Sequence, residues 1–240
     1  MIRFRNVDKD FSTAQGTLRA LRGVTGRIDR GDFAVLTGRS GAGKSSLLNI
    51  LGGLMRPSAG DVHIDGLDVW SLDEGRRAAL RAEKVGFVFQ NAPVVRSLTA
   101  LENVALAATF LRQRPPARQL AQWASELLDH VGLADRADSY PDQLSGGQVR
   151  RVAIASAMMN GPAVLLADEP TGDLDVETED RVMEVFCRLN REGVTVIIVT
   201  HHETLTTYAN RLFRLVDGLM YEDEAPRRPP AGDPLKDAQA

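Results

Sequence analysis

The sequence lacks features that several classes of protein require. Its 240 residues include one cysteine, Cys187, so no disulfide can form within the chain, which suits a reducing compartment. No apolar run approaches the roughly 20 residues that cross a bilayer, and no secretory signal is visible, so we expect the chain alone to be soluble. A net charge of −3 lacks the basic excess of most nucleic-acid binders, so we expect no nucleic-acid partner.

What is present is a glycine-rich stretch, GRSGAGKS, at residues 38–45. It fits the phosphate-loop pattern of Gly, four residues, Gly, Lys and Ser or Thr. The apolar run before it predicts a buried strand and the run after it a helix, so backbone N–H groups and a helix N-terminus would face one phosphate site. Lys44 would contact the β- and γ-phosphates, and the Ser45 hydroxyl would bind Mg²⁺. The candidate nucleotide-binding residues are Gly38, Arg39, Ser40, Gly41, Ala42, Gly43, Lys44, Ser45 and Ser46.

The first 30 residues carry spaced apolar side chains that predict short strands of an antiparallel sheet. Phe11, ahead of the phosphate loop, could stack on a purine ring or belong to the core. Residues 60–66 alternate apolar and polar side chains, which predicts a half-exposed strand with His63 on its polar side.

Residues 86–89 predict another buried strand, which ends at Gln90. A glutamine there could bind Mg²⁺ or the attacking water, or could be an ordinary surface residue. Residues 98–138 have a helical pattern rich in Ala and Leu, and 99–102 resemble a capping box that opens a helix. We therefore expect a separate helical lobe after this strand.

Ser145, Gly146, Gly147 and Gln148 precede a second helix-like run. A serine and two glycines at a helix start predict a second anion-binding site. This site has no lysine of its own. One chain thus carries two predicted phosphate-binding helix starts, roughly a hundred residues apart.

Residues 163–167 predict a fully buried strand that ends in Asp168 and Glu169. Because successive side chains of a strand point to opposite faces, the two carboxylates can have different roles. Asp168 suits the Mg²⁺ sphere of a phosphate-loop ATPase, and Glu169 would polarise the attacking water. The acids of the following turn, 170–175, are available to cap the next helix.

Residues 194–200 predict the last strand of the core, which leads into His201 and His202. We expect these adjacent histidines to diverge, which disfavours a shared metal, and one of them to approach the γ-phosphate. Residues 211–221 predict a closing strand pair. The proline-rich segment 223–240 predicts a disordered tail, because it has little to bury.

The motifs occur in the order of an ATP-binding cassette (ABC) ATPase, a family that the chain resembles over residues 1–222. The resemblance implies an α/β fold: a phosphate-loop ATPase core with a mostly parallel sheet, an N-terminal antiparallel β-subdomain and an inserted helical subdomain at about residues 92–156. The signature LSGGQ at 144–148 is far more specific to this family than the phosphate loop.

The resemblance also implies roles for single residues. Phe11 would stack on adenine, and Gln90 would sense Mg²⁺ and a transmembrane partner that contacts the loop 91–98. Ser145, Gly146 and Gly147 would bind the γ-phosphate held by another subunit. The catalytic set would be Glu169 as general base, His201 as switch histidine, Lys44 and Gln90; the metal set would be Ser45, Gln90 and Asp168.

Three segments look like the branch that contains lipoprotein-release, macrolide-export and cell-division ATPases: 86–90, 98–104 and 169–172. Residues 148–151 read Gln-Val-Arg-Arg where that branch usually has Glu-Gln-Gln-Arg. Ser156, Asp173 and His202 stand where Arg, Asn and Asp are common. These departures remove no catalytic group, so they bear on subtype and not on activity.

The resemblance implies an ATPase subunit that hydrolyses ATP with Mg²⁺ in a homodimer. It would lie on the cytoplasmic face of the cell membrane, bound peripherally to an integral membrane permease on a separate chain. One alternative is a cell-division type that drives an extracytoplasmic cell-wall enzyme without transport. A cassette protein acting on DNA or ribosomes would usually have paired cassettes or a long coiled-coil insertion, and neither is visible. A regulator without turnover is disfavoured because Glu169 and His201 are both present.

Overall fold

Two β-sheets of different strand direction organise this computed structural model, which describes residues 1–14, 16–91, 93–111 and 113–225. The strands within these ranges are β1 (Ile2–Thr13), β2 (Gly16–Ile28), β3 (Phe33–Thr37), β4 (Ala59–Ile64), β5 (Leu67–Asp68), β6 (Val85–Val88), β7 (Val164–Asp168), β8 (Thr195–Thr200), β9 (Arg211–Val216) and β10 (Leu219–Asp223). The α-helices there are α1 (Lys44–Leu51), α2 (Glu74–Lys84), α3 (Ala100–Leu106), α4 (Ala117–His130), α5 (Gly146–Met158) and α6 (Val176–Arg191).

The N-terminal sheet is antiparallel, in the order β2-β1-β4-β5. The prediction of short strands was wrong, because β1 and β2 have 12 and 13 residues and form one long hairpin. Their register shifts after Phe4, Val7 and Lys9, and such bulges interrupt the apolar alternation without ending the pairing. The alternation in β4 is as predicted, with Val62 and Ile64 buried.

The second sheet has the order β10-β9-β3-β8-β7-β6, and every pair except β9 with β10 is parallel. This confirms the predicted α/β core with a mostly parallel sheet. The prediction that 194–200 form the last core strand was wrong, because β9 adds to the core sheet beside β3. The sequence of β9 has arginines at 211 and 214 among apolar residues, so it lacks the continuous apolar run of a fully buried parallel strand, and only the pairing places it in the core sheet.

The parallel sheet is buried on both faces. Phe33 and Val35 of β3 pack toward the helices α3 to α6, whereas Ala34 and Leu36 pack toward α1 and the N-terminal sheet. Strands β7 and β8 alternate in the same way between the two clusters. Their continuous apolar runs follow from this double burial.

The chain between β6 and β7 forms the inserted helical subdomain, with α3, α4 and α5. The predicted capping box at α3 is confirmed, since the Thr99 side chain accepts from the Glu102 N–H and the Glu102 carboxylate accepts from the Thr99 N–H. No helix in the described part of the chain is long and apolar enough to cross a membrane.

The C-terminal strand β10 includes Asp223, one residue beyond the predicted limit of the ordered domain. Arg211 pairs with Glu222 and Arg214 pairs with Asp223, so two ion pairs tie β10 to β9. The predicted tail lies mostly at 226–240, outside the described residues.

Candidate functional site

The glycine-rich loop lies between β3 and α1, which begins at Lys44. Gly43 precedes the helix with φ of 101°, and a Cβ there would lie 2.5 Å from the carbonyl oxygen of Ala20 in β2. Gly38 has φ of 153°, and its Cβ would lie 2.4 Å from the Leu215 carbonyl oxygen of β9. Only glycine permits both the backbone conformation and the close approach at these two positions.

Lys44 is 6% exposed and its side chain folds across the loop. Its Nζ donates to the carbonyl oxygens of Gly38 at 2.7 Å and Arg39 at 3.3 Å. The same Nζ lies 3.8 Å from Oε1 of Glu169. A positive charge is thereby held at the mouth of the loop, where phosphate oxygens would enter.

Ser45, at the start of α1, and Asp168, at the end of β7, bring two side-chain oxygens together. Ser45 Oγ donates to Asp168 Oδ1 at 3.1 Å. Burial raises the pKa of Asp168, while the hydrogen bond from Ser45 acts to lower it. Neighbouring oxygen ligands of an octahedral Mg²⁺ lie about 3 Å apart when each metal–oxygen bond is about 2.1 Å. Oxygen chemistry and spacing therefore both fit Mg²⁺ at this pair.

Glu169 follows β7 and is 9% exposed, with a left-handed backbone at φ of 45°. Its Oε2 accepts from the Thr200 hydroxyl at 2.9 Å and from the His201 N–H at 3.3 Å. Its Oε1 lies 2.9 Å from His201 Nδ1. The carboxylate is thus oriented by the end of β8, and Thr200 is a contact that the sequence reasoning missed because the two strands meet only in the fold.

The two adjacent histidines do not diverge as predicted. Their ring centroids lie 4.4 Å apart at an interplanar angle of 74°. β8 ends at Thr200, the chain bends at His201, and the His202 N–H donates to the Thr200 hydroxyl at 3.0 Å, so the histidines do not continue the strand. The rings contact different carboxylates, His201 that of Glu169 and His202 that of Glu179 at 3.5 Å.

A cavity of about 1580 Å³ opens beside the glycine-rich loop. The predicted site residues that line it are Phe11, Gly38, Arg39, Ser40, Gly41, Ala42, Gly43, Lys44, Ser45, Ser46, Gln90, Glu169 and His201. Part of its wall comes from β2 and from the turn at 216–218, which sequence reasoning did not assign to the site. The Phe11 ring also lies 5.0 Å from the Lys9 ammonium, in cation–π geometry.

The second predicted anion site lies at the start of α5 and does not line this cavity. Ser145 caps the helix, because its Oγ accepts from the Gln148 N–H at 3.3 Å while Gln148 Oε1 accepts from the Ser145 N–H at 2.8 Å. Ser145 and Gly146 are exposed, whereas Gly147 is buried against Thr178 of α6. The helix start therefore faces solvent within one chain.

Fold and site together define a cassette-type phosphate-loop ATPase: a glycine-rich loop, an acidic pair after a buried strand, and a capped serine–glycine helix start on an inserted helical subdomain. A family model described as ABC transporter matches residues 21–172. The chain belongs to the ABC transporter family and is an ABC-type ATPase.

Relatives of known sequence and structure agree with this class. The chain is 43% identical over 224 residues to a macrolide export ATP-binding/permease protein MacB of Rhodopirellula baltica, covering 93% of this chain and 33% of the relative. It is 43% identical over 222 residues to an uncharacterized ABC transporter ATP-binding protein, MJ1508, of Methanocaldococcus jannaschii, covering 92% of this chain and 98% of the relative. The chain thus spans about a third of the MacB relative but nearly all of the second.

Solved structures give the same result. A dimeric post-hydrolysis state of the ATP-binding cassette MJ0796, bound to ADP and Pi, superposes with a TM-score of 0.87 at 38% identity. The match covers 94% of this chain and 99% of that one. The similarity to MacB proteins supports the macrolide-export branch indicated by the sequence.

Proposed function

We propose that this chain is the ATP-hydrolysing subunit of an ABC transporter, which dimerises around two ATP molecules and energises an integral membrane permease on a separate chain. The observation that carries the proposal is the convergence of Lys44, Glu169 and His201 on one wall of the cavity beside the glycine-rich loop.

ATP would bind with its phosphates along residues 38–46 and its adenine near Phe11. Lys44 would exchange its carbonyl partners for β- and γ-phosphate oxygens, a change that keeps its charge in place. Ser45, Asp168 and Gln90 would hold Mg²⁺, which supplies charge neutralisation between the phosphates.

Glu169 would act as the general base. Water attacks the γ-phosphorus, one water proton passes to the Glu169 carboxylate, and the bond to the β-phosphate oxygen breaks to release ADP and phosphate. Hydrogen bonds from Thr200 and His201 orient that carboxylate before substrate arrives, which supports the assignment. His201 lies beside both the base and the cavity, in a position to contact the γ-phosphate.

A second copy of the chain would complete the site. Ser145, Gly146 and Gly147 would bind the γ-phosphate held by the partner subunit, because the α5 start presents a helix N-terminus to solvent and not to its own cavity. The solved cassette MJ0796 is dimeric, which supports the same assembly here.

The membrane partner would contact Gln90 and the loop that follows it. Val94 is partly buried against the core and fixes the loop to it, whereas Val95 is 42% exposed. The loop therefore presents an apolar side chain to solvent, as interaction sites often do. Buried Asn103 holds this loop, with its Oδ1 accepting from the Val95 N–H at 2.7 Å and its Nδ2 donating to the Leu98 carbonyl at 3.0 Å. MacB relatives are described as combined ATP-binding/permease proteins, and this chain aligns with about a third of their length, which supports a permease as the partner.

Affinity isolation of the tagged chain from membranes tests this function. We expect an integral membrane protein to co-purify and to stimulate ATP hydrolysis. If that membrane protein lacks a transport pathway and itself binds a cell-wall hydrolase, the result would favour the cell-division type of ATPase over a transporter subunit. Recovery of ribosomes or DNA in place of a membrane protein would refute the proposal.

A further inference from the structure

Arg150 is a buried arginine that joins three parts of the structure. It lies on α5 and is 8% exposed. Its Nη1 donates to the carbonyl oxygens of Phe89, at 3.1 Å, and of Gln90. Its Nη2 donates to the carbonyl oxygen of Gly172 at 3.3 Å. One guanidinium therefore connects the helical subdomain to the chain after β6 and to the turn after β7.

The turn that it reaches is strained. Glu169 and Asp173 begin and end this turn in left-handed backbone conformations, with φ of 45° and 64°. Such a conformation is uncommon for a residue other than glycine, and it persists only where neighbours hold it. Within the turn the Gly172 N–H bonds to the Glu169 carbonyl at 3.1 Å, while the Gly172 carbonyl accepts from Arg150, so both backbone groups of Gly172 are held.

We propose that Arg150 is a positioning residue that holds the Gln90 backbone and the Glu169–Asp173 turn in fixed relation. Three backbone carbonyls need donors spread over the planar guanidinium group, which arginine has and lysine lacks.

Burial lowers the pKa of Arg150, and the exposed Asp173 carboxylate acts in the opposite direction. Because α5 begins after Ser145, Arg150 connects the helix that carries the second predicted anion site to the carbonyls of Gln90 and Gly172.

Hydrogen exchange of the nucleotide-free chain tests the inference independently of ATP hydrolysis. In Arg150→Gln we expect amides at 89–91 and 171–174 to exchange roughly 10- to 100-fold faster, since hydrogen bonds to a charged group are lost. The matched control is Arg151→Gln, on the same helix. Arg151 bonds to the carbonyls of Val131 and Gly132, so its loss should affect 131–136 and leave the other two segments unchanged.

Turnover gives the second readout, which rests on the proposed function. Misplacing Glu169 should lower kcat about 10- to 100-fold and change the KM for ATP far less, because the glycine-rich loop is untouched. Arg150→Lys should have a kcat nearly as low as that of Arg150→Gln, since lysine keeps the charge but lacks the planar guanidinium that reaches all three carbonyls.

Two outcomes overturn the inference: unchanged exchange at 89–91 and 171–174 in Arg150→Gln, or the same exchange pattern in Arg151→Gln. An inactive wild-type chain with the expected exchange pattern would count against the proposed function alone.

Discussion

The Lys44 ammonium and the Glu169 carboxylate face each other at 3.8 Å, with 7% and 11% of their side chains exposed. The pair links Lys44, the first residue of α1 after the glycine-rich loop, to Glu169, which follows β7 in a left-handed backbone conformation. Both side chains are buried, so water screens their attraction less than at an exposed surface. Without Lys44, Glu169 would keep its contacts with Thr200 and His201 but lose the lysine cation beside it.

Lys44→Ala should abolish Mg-ATP binding, because it removes the one point charge directed at the β- and γ-phosphates. Calorimetric titration measures the affinity. Lys84→Ala is the control, since Lys84 is an exposed residue of the last turn of α2. Unchanged affinity in Lys44→Ala would refute the assignment of the nucleotide site. We also expect lower thermal stability in Lys44→Ala than in Lys84→Ala, because buried Glu169 loses the nearby lysine cation.

Glu169→Gln should lower turnover about 10²- to 10⁴-fold while ATP binding survives, because the amide keeps the size of the side chain but cannot accept the proton. If Ser145, Gly146 and Gly147 clamp the γ-phosphate across a dimer, unhydrolysed ATP should hold two subunits together and ADP should not. Light scattering would then report a dimer with ATP and a monomer with ADP.

The control for that variant is Glu177→Gln, in the exposed first turn of α6. It should hydrolyse ATP at the wild-type rate. Wild-type turnover in Glu169→Gln would exclude Glu169 as the base. A Glu169→Gln protein that stays monomeric in saturating ATP, with the membrane partner present, would exclude the sandwich dimer.

A cysteine at Val95 should crosslink to the co-isolated membrane protein. The Val95 N–H donates to the Asn103 side chain, and the Val95 side chain is 42% exposed. A crosslinker attached to a cysteine at position 95 would therefore be accessible and held at a fixed backbone position. Cys187 is buried and can stay in place. Val176→Cys is the control, at a 77% exposed position on α6. Crosslinking from Val176 and not from Val95 would place the membrane contact elsewhere.

Gly147→Ala should destabilise the chain, because the added Cβ would lie 2.2 Å from Cγ2 of Thr178. Overpacking of this kind costs about 1–3 kcal/mol, or roughly 2–10 °C in melting temperature for a chain of this size. Gly146→Ala should leave the melting temperature unchanged, since its nearest new contact is Leu174 at 3.8 Å.

The rescue for that clash is Thr178→Ser, which removes Cγ2 and keeps the hydroxyl that bonds to Asp175. Gly147→Ala with Thr178→Ser should recover most of the lost melting temperature, measured by thermal unfolding without nucleotide. An equal loss in the single and double variants would show that the contact with Thr178 is not the cause.

Local chemistry made much of the molecule predictable. A loop that needs glycine, a cap that needs serine or threonine, and a strand buried on both faces each leave a pattern within a few residues. The glycine-rich loop, the capped start of α3, the helix start after Ser145 and the strand before Asp168 were therefore visible in the sequence. Their order along the chain carried the family resemblance.

Pairing between distant segments was not predictable in the same way. The place of β9 beside β3, the length of the β1–β2 hairpin and the contact of Thr200 with Glu169 depend on which segments meet. The histidine rings were predicted wrongly for a related reason, since the chain bends at His201 and the histidines do not continue the strand.

The sequence by itself determined the class of site, because phosphate and Mg²⁺ impose their requirements on contiguous residues. It also showed that position 150 departs from the pattern of the related branch. Only the tertiary structure decided which groups the arginine at that position contacts. The partners of Arg150 are backbone carbonyls, which every residue has, so no side-chain pattern could reveal them before α5 was packed against the ends of β6 and β7.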